Sequence, residues 1–313
     1  MSGRVRTVRG DVPAASLGLT LVHEHLVVDW GELQGRPKLS LDFEATVEQI
    51  AARLRSAAAD GVGALADCTP IGAGRYADLM AEVSRRSGVA VIGATGFFHE
   101  GWTPMHPLAR ALDVDALADL YQRELTEGMG ATTIRAGLIK CATGEGSIGP
   151  HEEKLLRATA RAHRATNAPI VSHITDSLEA EQLDLFEAEG VDPARICISH
   201  VGGGESWQGR LLGALRRGAN VSVDMISYEF APDEQRIDVA RVALEAGHLG
   251  QLMLAHDALV VQSGPETMFG IGPSDFGYIP RVFAPSLQRA IGLTEAEIRT
   301  IMIENPQRFL AGF

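Results

Sequence analysis

The sequence predicts a single-domain (β/α)8 TIM barrel of the α/β class, and three observations support this. Short runs of branched apolar residues alternate with Ala-, Leu-, Arg- and Glu-rich stretches of helical spacing. Glycine or proline breaks precede several of the runs. Eight such units in 313 residues match the size of this barrel, and no linker divides the chain, so one domain is expected over residues 1–313.

The predicted strands are the eight apolar runs at residues 19–25, 62–69, 89–98, 136–142, 169–175, 195–201, 220–226 and 251–258. The clearest helices are predicted at residues 42–61, 149–167, 233–250 and 294–310. The first of these begins at Asp42, a suitable N-cap, and ends at Gly61. A doubly wound open sheet is the alternative, but "VGGGES" lacks the GxGxxG spacing of its phosphate loop.

Composition excludes some classes of function. The net charge of -12 disfavours a nucleic-acid partner, which would need a basic surface to neutralise phosphates. No apolar run has the roughly 18 residues of a membrane span, and the basic N-terminus has no signal-peptide core. Cys68, Cys141 and Cys197 are widely spaced and form no CxxC pair, so buried free thiols in a reducing cytoplasm are expected.

Titratable residues fall at the C-terminal ends of the predicted strands. They are His23, His25, Lys140, His173, His200 and Asp257. The C-terminal ends of barrel strands meet at one mouth, so these residues are expected to be neighbours. Each alone has an ordinary structural explanation, such as a hydrogen-bonded core histidine or a helix cap. Together, on the same rim, they predict a metal site.

A metal site would explain why the polar "HEH" motif interrupts an apolar strand. Side chains two apart on a strand point the same way, so His23 and His25 are both expected to face the barrel axis. Two imidazoles on one side suit a divalent cation. Glu24 is then expected to face the helices and to support a neighbouring cation or backbone group. The remaining histidines are predicted to be surface or supporting residues: His99, His106, His151, His163, His248 and His256.

The motifs "GLTLVHEHL", "AGLIKCATGEG", "VSHITDS", "ICISHVGGG", "LAHD" and "ENPQRFL" resemble the phosphotriesterase family of the amidohydrolase superfamily over nearly the whole chain. The resemblance implies a carboxylated Lys140 that bridges two divalent metal ions. One ion would be held by His23, His25, Lys140 and Asp257, and the other by Lys140, His173 and His200. Zinc is favoured, and cobalt, manganese or iron would also suit.

The resemblance also implies a metal-dependent hydrolase. A bridging hydroxide would attack the substrate, and Asp257 would orient it and accept its proton. A carboxylic ester or lactone is ranked first, an N-acyl amide second, and phosphotriesters as a promiscuous activity. Phe98 stands where lactonase relatives carry a tyrosine and Met225 where they carry an arginine, which weakens a simple lactonase assignment.

The substrate pocket is predicted from the loops after the third, seventh and eighth strands. The expected lining residues are Phe98, Trp102, Met225, Tyr228, Val260 and Phe269. The expected partner is a small molecule, and a homodimer is expected by analogy with relatives. Two rival functions are a Schiff-base aldolase using Lys140, which would leave the rim histidines unexplained, and a non-catalytic metal-binding protein.

Overall fold

A computed structural model of the chain describes residues 3–31, 41–101, 104–263 and 275–313. The strands are β1 Arg4–Thr7, β2 Gly10–Pro13, β3 Leu19–Asp29, β4 Val62–Asp67, β5 Ala90–Thr95, β6 Leu138–Thr143, β7 Ile170–Ile174, β8 Ile196–Ser199, β9 Asn220–Val223, β10 Leu252–Leu254 and β11 Leu259–Ser263. The helices are α1 Phe43–Ala59, α2 Ala77–Ser87, α3 Pro107–Ala111, α4 Val114–Thr126, α5 Pro150–Thr166, α6 Glu179–Ala188, α7 Trp207–Arg216, α8 Asp233–Glu245, α9 Ala284–Ile291, α10 Glu295–Arg299 and α11 Asn305–Leu310.

The predicted barrel is confirmed, with β3 to β10 following one another as parallel neighbours. The predicted eighth strand is two segments, because β10 pairs with β9 whereas β11 pairs with β3. Backbone hydrogen bonds continue through the break: Ala255 N–H donates to Val223 O, and Asp257 N–H donates to His23 O. The eighth strand therefore closes the sheet by bonding to a different neighbour on each side of its break.

A β-bulge in β3 determines which way its polar residues point. Leu21 is opposite Leu65 and Glu24 is opposite Asp67, so β3 has one residue more than β4 between these pairs. Val22 packs in the cluster that fills the barrel, with Cys68 and Cys197. His23 lies inside this bulge and His25 follows it, so the bulge lets Val22 face the barrel interior while both histidines reach the barrel mouth.

The N-terminal face of the barrel is covered by the antiparallel hairpin β1–β2, which the sequence patterns did not predict. Val8 N–H donates to Val91 O, and Val5 packs in the barrel cluster with Phe309 of α11. The open end is therefore the opposite face, where the strands end. No helix in the described ranges is long and apolar enough to cross a bilayer.

Candidate metal centre

The six predicted ligand residues lie around one point at the open mouth. His25 Nε2 is 3.2 Å and His23 Nε2 is 3.7 Å from Asp257 Oδ1. Lys140 lies in the middle of β6 and not at its end as predicted, and its Nζ is 2.7 Å from His23 Nε2. His23 and His25 likewise lie inside β3, which continues to Asp29. The His200 ring centroid is 5.0 Å from that of His23 and 4.3 Å from that of His173. Residues 234 positions apart in the chain are thus in contact because the strand ends converge.

Hydroxyl groups hold the two histidines of the HxH motif. His23 Nδ1 lies 2.8 Å from Ser199 Oγ, and His25 Nδ1 lies 2.9 Å from Thr69 Oγ1. Each contact fixes the outer nitrogen and turns Nε2 toward the centre. This arrangement is characteristic of metal-binding imidazoles, whose second nitrogen is usually held by an oxygen group.

Asp224, which follows β9 and is fully buried, fixes His200. Its carboxylate accepts from the His200 backbone N–H at 3.1 Å and lies 3.1 Å from His200 Nδ1. Burial opposes ionisation, but His200 and His23 beside it hold the Asp224 pKa well below its usual range. No sequence pattern singled out Asp224, although a carboxylate at the end of an apolar strand was a usable signal.

The backbone around Asp257 is held from both sides by Glu24 and Tyr228. Glu24 Oε1 accepts from the His256 N–H at 2.8 Å, and Glu24 Oε2 accepts from the Ala258 N–H at 2.8 Å. Tyr228 Oη donates to the Asp257 carbonyl at 2.6 Å. Glu24 is completely buried and also bonds His256 Nδ1 at 3.0 Å, so it has the supporting role expected for it.

Three residues at the mouth adopt left-handed backbone conformations: His200 at φ 65°, Met225 at φ 57° and Asp257 at φ 59°. Such a conformation costs a non-glycine residue about 1–2 kcal/mol. Strain of this kind persists only where the surroundings enforce it, and it concentrates at functional sites. His200 directly follows β8, Met225 lies two residues after the end of β9, and Asp257 lies in the break of the eighth strand.

The donor set fits divalent metal ions. Burial and the adjacent Lys140 lower the pKa of His23 to about 3, and burial and His200 lower that of His173 well below its usual value. These imidazoles are therefore neutral and can donate lone pairs. His200 Nε2 is buried and has no hydrogen-bond partner among the described residues. His23, His200 and Asp257 offer ligand atoms within 4.8 Å of one another.

A cavity of about 530 Å³ opens over this centre. Its walls are mainly apolar and aromatic, and they include Val28, Trp30, Ala73, Phe98, Ile174, Met225, Tyr228, Phe230 and Leu259. His25, Lys140, His173, His200 and Asp257 form part of its floor. The arrangement places a strongly polar centre at the bottom of an apolar cavity.

Phe98, Met225 and Tyr228 line the cavity, as expected for pocket residues. Val260 does not: it is 9% exposed and packs in the hydrophobic core, whereas its neighbour Leu259 reaches the cavity. Successive side chains of a strand alternate between faces, so only one of the two can line the wall. Trp102 and Phe269 lie outside the described residues.

The histidines outside the six predicted ligand residues lie in different environments. His99 is buried beside His173, and His256 is buried against Glu24. His163 is also buried, and its Nδ1 lies 2.7 Å from the Ala168 carbonyl. His106 caps α3. His99 is the one that adjoins the cavity wall.

Comparison with known proteins agrees with this geometry. A sequence profile of the Phosphotriesterase family matches residues 3–310. The chain belongs to the phosphotriesterase family. The phosphotriesterase homology protein of Mycobacterium tuberculosis is 31% identical to it over 97% of this chain and 96% of its own length.

Other members of the phosphotriesterase family bear more specific names. The aryldialkylphosphatase of Saccharolobus solfataricus is 28% identical over 97% of this chain and 98% of its own. Human N-acetyltaurine hydrolase is 25% identical over 99% and 98%. A mutant organophosphorus hydrolase from Deinococcus radiodurans superposes with a TM-score of 0.88 at 30% identity, over 98% of this chain and 97% of that one. The chain is a metal-dependent hydrolase of this family, and these names leave its substrate open.

Proposed function

We propose that this enzyme hydrolyses neutral, apolar carboxylic esters or lactones, with a weaker phosphotriesterase activity. The observation that carries the proposal is the apolar wall around the metal centre. Apart from Lys140 on the floor, no lysine or arginine lines the cavity in the described part of the chain. A substrate with an anionic tail, such as a sulfonate, would lose hydration there without gaining a counter-charge.

We further propose that two divalent ions, with zinc favoured, are held by His23, His25, His173, His200 and Asp257 and by a carboxylated Lys140. Lys140 is 1% exposed, and no carboxylate among the described residues lies within 4.0 Å of its Nζ. A buried ammonium without an ion-pair partner is costly. Carboxylation would replace it with an anionic group whose oxygens can bind cations, whereas an ammonium offers no acceptor.

When bound, such ions polarise a carbonyl oxygen and lower the pKa of water. The chain itself would supply the remaining functions. The Asp257 side chain is 20% exposed and faces the cavity, so its carboxylate would accept the proton of the attacking water. Trp30, Phe98 and Leu259 would pack against the apolar part of the ester and exclude bulk water.

The substrate panel that tests this assignment contains a neutral aliphatic lactone, a neutral aryl ester, an N-acyl amide, N-acetyltaurine and a neutral phosphotriester. Metal content is measured on the same protein by elemental analysis. We expect the largest kcat/KM for the lactone or the aryl ester and a lower value for the phosphotriester. A largest kcat/KM for N-acetyltaurine would refute the substrate class but leave the metal centre intact. Turnover without metal, with a borohydride-trapped Lys140 adduct, would support the aldolase instead.

The proposed substrate partner is thus a small molecule. The homodimer remains a prediction, which sedimentation would test.

A further inference from the structure

A chain of side chains at the cavity wall leads from the metal centre into the loop after β5. His173 Nε2 lies 3.1 Å from Thr175 Oγ1, and Thr175 Oγ1 lies 3.3 Å from His99 Nε2. His99 is 1% exposed, and its ring centroid lies 5.8 Å from that of His173. The Thr175 hydroxyl oxygen therefore contacts the Nε2 atoms of two imidazoles, those of His173 and His99.

The neighbouring backbone fixes the position of His99. A Cβ added to Gly144 would lie 2.9 Å from His99 Nδ1, and one added to Gly101 would lie 3.0 Å from it. The Phe98 ring centroid is 4.3 Å from the His99 ring centroid. Backbone thus approaches the ring closely at two glycines, and an aromatic side chain contacts it as well. The Thr175 backbone is also held, because its N–H donates to Thr143 O at 3.1 Å.

Proton counting leaves three arrangements for this chain, because a threonine hydroxyl donates one proton and can accept two. In the first arrangement His173 Nε2–H donates to Thr175, and Thr175 donates to His99 Nε2. In the second the order is reversed, and His173 then carries its proton on Nδ1. In the third both Nε2–H groups donate to Thr175, whose own proton points elsewhere.

The surroundings of His99 favour the first arrangement. Glu152 Oε1 lies 4.0 Å from His99 Nδ1, and this carboxylate favours a proton on that nitrogen. The Glu152 carboxylate is itself held, since it accepts from the Gly144 N–H at 2.8 Å. A neutral His99 with its proton on Nδ1 has a lone pair on Nε2, which accepts from Thr175. His173 must then donate from Nε2, which leaves the lone pair of His173 on Nδ1.

We propose that Thr175 and His99 are positioning residues that fix the tautomer and orientation of His173, so that its Nδ1 lone pair is available to a metal ion. This inference rests on the proposed metal centre, in which His173 belongs to one ion only. Thr175 and His99 would act through His173 and would not themselves bind the ion. A supporting hydrogen bond of this kind typically changes metal affinity about 10- to 100-fold.

The first test reads the tautomers directly in the zinc-loaded full-length protein. Histidine labelled with ¹⁵N is incorporated, and two-bond ¹H–¹⁵N correlations identify the protonated nitrogen of each ring. We expect His173 to be protonated on Nε2 and His99 on Nδ1. A His99 protonated on Nε2 would overturn the proposal, whatever the enzyme hydrolyses.

The second test measures binding of Co²⁺ to metal-depleted protein by titration and visible absorbance. Thr175→Val removes the hydroxyl at nearly constant volume. We expect the affinity for one ion to fall about 10- to 100-fold while the other ion binds as in the wild type. Thr175→Ser, which restores the hydroxyl, should recover the wild-type isotherm.

Thr159→Val is the control, because it makes the same substitution at a threonine of α5 that lies outside the cavity wall. It should bind both ions normally. Two wild-type binding steps in Thr175→Val would overturn the positioning role, and so would a loss in Thr175→Val that Thr175→Ser does not recover. If the wild-type protein itself binds no Co²⁺, the proposed metal centre is wrong. If the wild type binds Co²⁺ normally and only the prediction for Thr175→Val fails, the positioning role alone is wrong.

Discussion

Glu24→Gln tests whether the buried carboxylate next to the metal-ligand candidates positions Asp257 or merely stabilises the fold. Glu24 accepts three hydrogen bonds, two at Oε1 from His256 and one at Oε2 from Ala258. The glutamine amide can keep its oxygen on the His256 side. Its NH₂ group then faces the Ala258 N–H, so one bond is lost and two donors oppose each other.

The expected stability loss follows from this count. A hydrogen bond to a charged group contributes about 1.5–3 kcal/mol, so Glu24→Gln should lower the unfolding free energy by about 2–3 kcal/mol. The segment 256–258 that Glu24 holds also contains Asp257, whose left-handed backbone conformation costs about 1–2 kcal/mol. This conformation can relax once a hydrogen bond from Glu24 is lost. We therefore expect zinc affinity to fall about 10- to 100-fold, because the Asp257 carboxylate would move away from His25.

The assay pairs urea unfolding of metal-depleted protein with zinc titration. Asn305→Ala is the control, because Asn305 Nδ2 donates to the carbonyls of Leu249 and Leu252, at the opposite end of the same strand. Loss of these two bonds should cost about 1–3 kcal/mol and leave zinc affinity unchanged. The reasoning is refuted if Glu24→Gln loses stability by the expected amount and still binds zinc like the wild type.

Three further predictions concern the metal bridge, the cavity wall and the thiols. Lys140→Ala should lose bound metal and hydrolysis together, and reactivation of metal-depleted wild-type protein should be faster with bicarbonate; equal rates at every metal level would contradict a carboxylated lysine. Leu259→Ala should raise KM for apolar esters with little effect on stability, whereas Val260→Ala should lower the unfolding free energy by about 1–3 kcal/mol and leave KM unchanged, as steady-state kinetics and urea unfolding will show. Burial raises the pKa of Cys68 to about 12 and of Cys141 to about 11, so a thiol reagent at pH 8 should label neither in the native protein and both after unfolding; rapid native labelling would disprove their burial.

The sequence by itself predicted the barrel, and it singled out the six side chains that the structure brings together at the mouth. Strand and helix periods are local, so alternating runs predict alternating elements without any knowledge of contacts. The two-residue period also indicates that His23 and His25 share a face and that Glu24 takes the other. Because parallel strands of a barrel end at one face, strand-end residues such as His173 could be grouped before any distance was known.

Tertiary structure decided what depends on register and on contacts between distant segments. The bulge in β3 arises from its pairing with β4, and the break around Asp257 arises because the eighth strand bonds to a different neighbour on each side. The break also determines that Leu259, not Val260, reaches the cavity.

Tertiary structure also decided which residues support the predicted metal ligands. The contact between Thr175 and His99 joins residues 76 positions apart, and the Asp224 contact with His200 spans 24. A hydrogen bond depends on distance and direction in space, and no local period in the sequence encodes either for residues on different strands.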